Sequence, residues 1–176
     1  ADYGQGLHWE VHGPWRWDAP LRTGWFQYWD GDDALFRAEF GCPGASDAAL
    51  IRRHAGAEAS FPCTVAWWRY PLDWWAEHDV FEQETGRPPV SLEEYVAWSQ
   101  TRQAEALVYA VTRMKRRFPG CGGAILWMGH DSFPCAANTS LLDFDGNWKP
   151  AAHALAEVFH APAEAGTVDR SSGRKH

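Results

Sequence analysis

The chain has 176 residues, enough for one domain that buries a real core. Its formal net charge of −7, with acidic and basic residues mixed along the chain, argues against a nucleic-acid surface or a polybasic membrane anchor. Twelve tryptophans stand out, and they have two readings: buried core aromatics, or planes on which the apolar face of a sugar stacks.

Cys42, Cys63, Cys121 and Cys135 show neither a CxxC pair nor zinc spacing, and are expected to be mostly buried thiols. A disulfide stays open at this point. No metal or other cofactor is expected. No run of about 18 apolar residues suggests a membrane span, and no stretch reads as a signal peptide. The chain opens Ala1-Asp2-Tyr3 without a Met, so a natural start upstream is expected.

From Gly4 to Trp29 the sequence is crowded with Gly, Pro and Trp and reads as a loop with short extended pieces. Ala34 to Gly41 then alternates Leu35, Arg37 and Glu39 against Phe36, Ala38 and Phe40, the period of a strand, and stops at Gly41-Cys42-Pro43-Gly44. Ser46 is placed to cap a short helix running to about His54. Ala57 to Arg87 is less regular, with the pairs Trp67-Trp68 and Trp74-Trp75 and a short helix around Asp79 to Glu84.

The clearest helix follows. Ser91 with Glu94 makes a capping box, and apolar residues from Leu92 to Phe118 recur at helical spacing. Lys115, Arg116 and Arg117 suit the negative end of its dipole, and Pro119-Gly120 ends it. Gly122 to Met128 reads as a buried parallel strand. Pro150 opens a last helix to about Phe159, and the tail from Ala161 is expected to be disordered. Strands separated by helices point to an α/β fold with a parallel sheet. Two clear strands, in a chain short of the roughly 250 residues of a (β/α)8 barrel, are too few to close one.

In such sheets, catalytic groups project from the C-terminal strand ends. Glu39 ends the first strand; Trp127 and Asp131 lie at and beyond the end of the second. A carboxylate, an aromatic plane and a second carboxylate would share one rim. The alternatives are a Glu39 paired with Arg37, a Trp127 in the core and an Asp131 capping its loop. His8 and His12 have the spacing of a metal pair, but Trp9, Gly13 and Pro14 disfavour a helix there and no third ligand is evident. Gln100 and Gln103 are expected to satisfy buried backbone groups.

Taken in order, these segments resemble the last part of the barrel domain of family-two glycoside hydrolases, particularly the β-mannosidase-like branch. Phe36 to Gly44 (FRAEFGCPG) is similar to that family's nucleophile motif. Leu7 to Gly13 resembles the His-aromatic-Trp stretch before it, in altered form. SLEEYVAWSQTRQAEAL resembles its helix with paired Gln. GCGGAILWMGHDSFP resembles its final barrel strand, and Asn138 to Pro150 the segment beyond.

The resemblance implies an α/β fold that is a partial (β/α)8 TIM barrel, the last strands and helices only, over 1–160, with a tail over 161–176. It implies a retaining exo-β-glycosidase in which Glu39 is the nucleophile and His8, Trp9, Trp127, His130 and Asp131 bind a β-linked saccharide. His12 and Arg37 are further candidates to stabilise the Glu39 anion. No Asn-Glu dipeptide occurs, so the family's acid/base Glu is expected from the remainder of the barrel, the implied partner. Gly129-His130-Asp131 departs from the mannosidases' more usual Leu-Asn-Asp. A non-catalytic carbohydrate-binding protein, or an inert piece of a barrel, is the competing expectation.

Overall fold

The computed structural model describes residues 11–56 and 73–162. The elements are β1 (Val11–His12), α1 (Trp25–Asp30), β2 (Arg37–Phe40), β3 (Gly44–Ala45), α2 (Ala48–Ala55), α3 (His78–Thr85), α4 (Leu92–Arg116), β4 (Ala124–Leu126), β5 (Ala137–Asn138) and α5 (Pro150–His160), with 3₁₀ turns at Leu21–Thr23 and Asp73–Ala76. Strands β1, β2 and β4 form a parallel sheet in that order, with β2 in the middle. Strands β3 and β5 pair antiparallel beyond it. The expected α/β organisation is present; the parallel sheet has one more strand than the sequence suggested, and the β3–β5 pair is additional. β1 fits the short extended pieces read within Gly4 to Trp29, whereas α1, short and mostly aromatic, is not expected there.

One layer of helices covers the sheet. Trp25 and Trp29 of α1, Phe40 of β2, Ala106, Leu107, Ala110 and Val111 of α4, and Leu155 of α5 form its core. The Trp25–Trp29 and Trp29–Phe40 rings meet edge-on at 5.5 and 5.1 Å, and Trp25 Nε1 donates to Ala106 O at 2.9 Å. These tryptophans are core, and burying each such side chain contributes about 2–3 kcal/mol.

Helix α4 starts as expected, with Ser91 Oγ accepting from the Glu94 N–H at 3.1 Å. The return bond differs: the Glu94 carboxylate accepts from the Val90 N–H at 2.8 Å and pairs with Arg87, so the box is displaced by one residue. Lys115 donates to Ala161 O at the end of α5. Ser46 does not cap α2, whose N-cap is Asp47; its hydroxyl donates to Cys135 O at 2.8 Å and so ties the β3 strand to the segment before β5. Cys42, Cys121 and Cys135 are free and buried, while Cys63 and the Trp67-Trp68 pair lie outside the described residues. The tail beyond 162 also lies outside them.

Strand β4 corrects the expectation of a strand buried on both faces. Ala124 and Leu126 pack on the helix core, but Ile125 is 55% exposed and Trp127 44%. Among the described residues its far edge carries no neighbouring strand.

Gly41 permits the closest backbone approach at this seam. A Cβ there would stand 2.3 Å from the Trp127 carbonyl oxygen and 3.1 Å from Thr139 Cβ. Arg102, buried in α4, gathers another junction: it donates to Trp17 O at 2.7 Å and Ala19 O at 3.0 Å and pairs with Glu84 and Glu77. Glu77 has a left-handed backbone (φ 52°), and burial pushes its carboxyl up to about 7 against the pull of Arg102.

Two outcomes are expected. G41A lowers stability by about 1–3 kcal/mol or more in urea unfolding, because backbone must move to admit the methyl; an unchanged midpoint contradicts the contact. Folded Glu77 keeps its proton from the usual carboxylate range up to about 7, whereas the unfolded chain releases it near 4.5. Its stabilising contribution is therefore full below 4.5 and is lost as pH rises through 7. The melting temperature of E77Q should fall less than that of the parent between pH 5 and 8, and parallel curves would count against this.

Candidate active site

The middle strand is irregular where it matters. Arg37 and Phe40 of β2 face Ala124 and Leu126 of β4, so β2 carries one more residue between these pairs. The register against β1 slips at the same place, with Val11 opposite Arg37 and His12 opposite Glu39. Both Arg37 and Phe40 meet Trp29, the guanidinium at 5.0 Å and the phenyl ring at 5.1 Å. They therefore share the helix-side face. This overturns the simple alternation that put Arg37 on the face of Glu39. Such a bulge re-aims the side chains within it.

Glu39 is left half-buried on the face away from the helices, the face that carries exposed Ile125 and Trp127. Its backbone carbonyl accepts from the Gly13 N–H at 2.6 Å. On the other side, the Trp127 N–H donates to Phe40 O at 2.8 Å. Glu39 thus sits between the ends of β1 and β4, at the C-terminal rim of a parallel sheet.

Arg37 is committed elsewhere. It donates to Gly13 O at 2.7 Å and pairs with buried Asp32, which also takes Arg117. Enclosed among Tyr28, Trp29 and Asp32, it is not placed to neutralise Glu39. His12 is exposed beside Glu39 in the register.

Beyond β4 the Trp127–Met128 peptide is cis, and the Met128 N–H donates to Thr139 O at 3.3 Å. His130 is exposed and bridges Leu142. Asp131 is 1% exposed, accepts from Asn138 Nδ2 at 2.8 Å and faces Lys149 at 3.9 Å, so its carboxylate is engaged by the protein rather than open to the rim. His8 and Trp9 lie outside the described residues. The structure thus brings Glu39 and Trp127 to one rim, with His130 on the loop that leaves it.

Gln103 donates to Cys42 O and Ser140 O, each at 3.0 Å, and Gln100 to Ala45 O at 3.1 Å, which is the backbone role expected of them. Gly44 leaves room for this: a Cβ there would fall 2.1 Å from Gln103 Oε1. Sequence reasoning missed Lys149 and Ser140. Both lie in the Asn138 to Pro150 segment that carries part of the resemblance, but a cation directly before a proline-opened helix normally means a solvated one. Cys135 is pushed up to about 12 by burial and by Asp131, so it is an inert thiol at this site. Among the described residues no three His, Cys, Asp or Glu side chains gather as a metal would need. A hollow of about 610 Å³ along Pro20–Arg22, Glu84 and Trp98 includes neither Glu39 nor Trp127.

No protein-family model matches the chain. Curated relatives do: β-mannosidase B of Aspergillus flavus and that of Aspergillus oryzae are each 28% identical over 147 residues, covering 76% of this chain and 16% of theirs. Among solved structures, a β-D-mannosidase from Dictyoglomus thermophilum superposes with a TM-score of 0.56 at 22% identity, over 85% of this chain and 19% of that one. The fold is thus that of a stretch of a solved β-mannosidase. The chain is β-mannosidase-like over most of its length, and corresponds to 16% of the fungal enzymes it matches.

Proposed function

We propose that this chain supplies the nucleophile half of a retaining exo-β-glycosidase site, with a β-mannoside as substrate. The observation that carries the reading is Glu39 near the C-terminal end of the central parallel strand, next to Phe40, whose carbonyl accepts from the N–H of exposed Trp127. The β-mannosidase names of the relatives support the substrate class.

In this reading the Glu39 carboxylate attacks the anomeric carbon, the aglycone leaves, and a glycosyl-enzyme forms; water then releases the sugar with its β configuration retained. Trp127 stacks under the pyranose in the cleaved position. His130, His8 and Trp9 contact its hydroxyls. Asp131 serves the site by ordering the loop that carries His130. A second carboxyl, about 5–5.5 Å from Glu39, must protonate the leaving oxygen and later activate water. Barrel strands outside this chain supply it, one of them pairing along the edge of β4 that has no neighbouring strand among the described residues. The three parallel strands and covering helices are then the last part of a (β/α)8 barrel.

An aryl mannoside whose phenol departs without a proton tests the nucleophile apart from the acid. With 2,4-dinitrophenyl β-mannoside, E39G should lose hydrolysis by roughly 1,000-fold or more. Added azide should restore turnover and yield the α-mannosyl azide, since the small anion enters the space of the lost carboxylate from the same face. Hydrolysis unaffected by E39G contradicts the assignment. A parent chain that binds mannosides without cleaving this one is a binding module instead.

A further inference from the structure

Just past the rim, the arms that continue from β2 and β4 pair through β3 and β5, and one buried cation also joins them. Lys149, the residue before α5, is 2% exposed. Its ammonium donates to Gly44 O at 2.8 Å and to Ser140 Oγ at 2.9 Å, and stands 3.9 Å from Asp131 Oδ2. Gly44 belongs to the arm that continues from Glu39. Ser140 and Asp131 belong to the arm that continues from Trp127, because the Met128 N–H bonds Thr139 O and the Leu141 N–H bonds Met128 O. The backbone of Lys149 is held to the second arm as well, its N–H donating to Leu141 O at 2.9 Å.

Burying an ammonium is costly, and an apolar side chain of the same length would fill the volume without that cost. What it could not do is bond oxygens of two arms at once. Burial lowers the Lys149 pKa while the carboxylates of Asp131 and Asp143 oppose the shift, as expected of a cation kept for its hydrogen bonds rather than for solvation. Gln103 makes a parallel link, Cys42 O to Ser140 O, but through a neutral amide.

We propose that Lys149 is a positioning residue: bonded to both arms, it sets the separation between the Glu39 carboxylate and the Trp127 plane. The proposal rests on the reading of Glu39 as nucleophile. It touches no substrate atom, so its loss should slow attack on a bound sugar rather than weaken binding.

The test is the saturation kinetics of covalent labelling by 2,4-dinitrophenyl 2-deoxy-2-fluoro-β-mannoside, which needs no acid, with folding followed by circular dichroism. K149M should lower the maximal labelling rate ~10- to 100-fold with the half-saturating concentration within about threefold of the parent. S140A removes one acceptor and keeps the ammonium, so it should lose about 3- to 10-fold and decides the matter if K149M fails to fold. L155A loosens α5 in the helix core and should leave the rate of the folded protein within about threefold. Parent-like rates in folded K149M or S140A overturn the proposal, as does an equal loss in L155A. A parent that is never labelled at Glu39 overturns the nucleophile reading, and this proposal falls with it.

Discussion

The arrangement depends on Gly41 lying against the carbonyl of Trp127. A parallel sheet holds its strands by evenly spaced hydrogen bonds, but those end with the Trp127 N–H to Phe40 O bond. Between that bond and the β3–β5 pair, close packing of the two departing chains adds to the side-chain links from Gln103 and Lys149. With no side chain, Gly41 lets one backbone touch the other, and Thr139 closes the contact from behind. Glu39 and Trp127 are thereby held on neighbouring strand ends without a bond between their side chains.

The bulge in β2 supplies the other half of the geometry. Phe40 and Arg37 turn to the helix layer, where Trp29 receives both, and the residues between them are presented outward. Arg37 thus serves the scaffold, linking Gly13 at the end of β1 to Asp32 before β2. A guanidinium buried against two aromatic rings and a carboxylate is a rigid support. The polar residues behind the rim follow the same logic. Gln103, Lys149, Ser46 and Asn138 each satisfy a group on a neighbouring loop, so the loops need not rely on exposed turns for their shape.

Much of this was legible in the sequence. The period of Ala34–Gly41, the cap at Ser91 and the proline at 150 gave the central strand and two helices, because each is a local signal. The motif around Glu39 placed it at a strand end. The bulge was not legible: Arg37 and Glu39 are two apart, and only the aromatic surface of Trp29, distant in sequence, selects which face takes the cation. Asp131 read as a rim carboxylate because its burial depends on Asn138 and Lys149 folding back over it. The Val11–His12 strand exists only through pairing with β2. The exposure of Ile125 likewise depends on which neighbours β4 has, which no local pattern encodes.

The most direct measurement is a crystal structure of the chain after reaction with a 2-deoxy-2-fluoro-β-mannosyl donor. The account predicts continuous density from a Glu39 carboxylate oxygen to the anomeric carbon, in the α configuration, with the pyranose lying over the indole of Trp127. A sugar bonded to another residue, or a Glu39 adduct turned away from that indole, would contradict it.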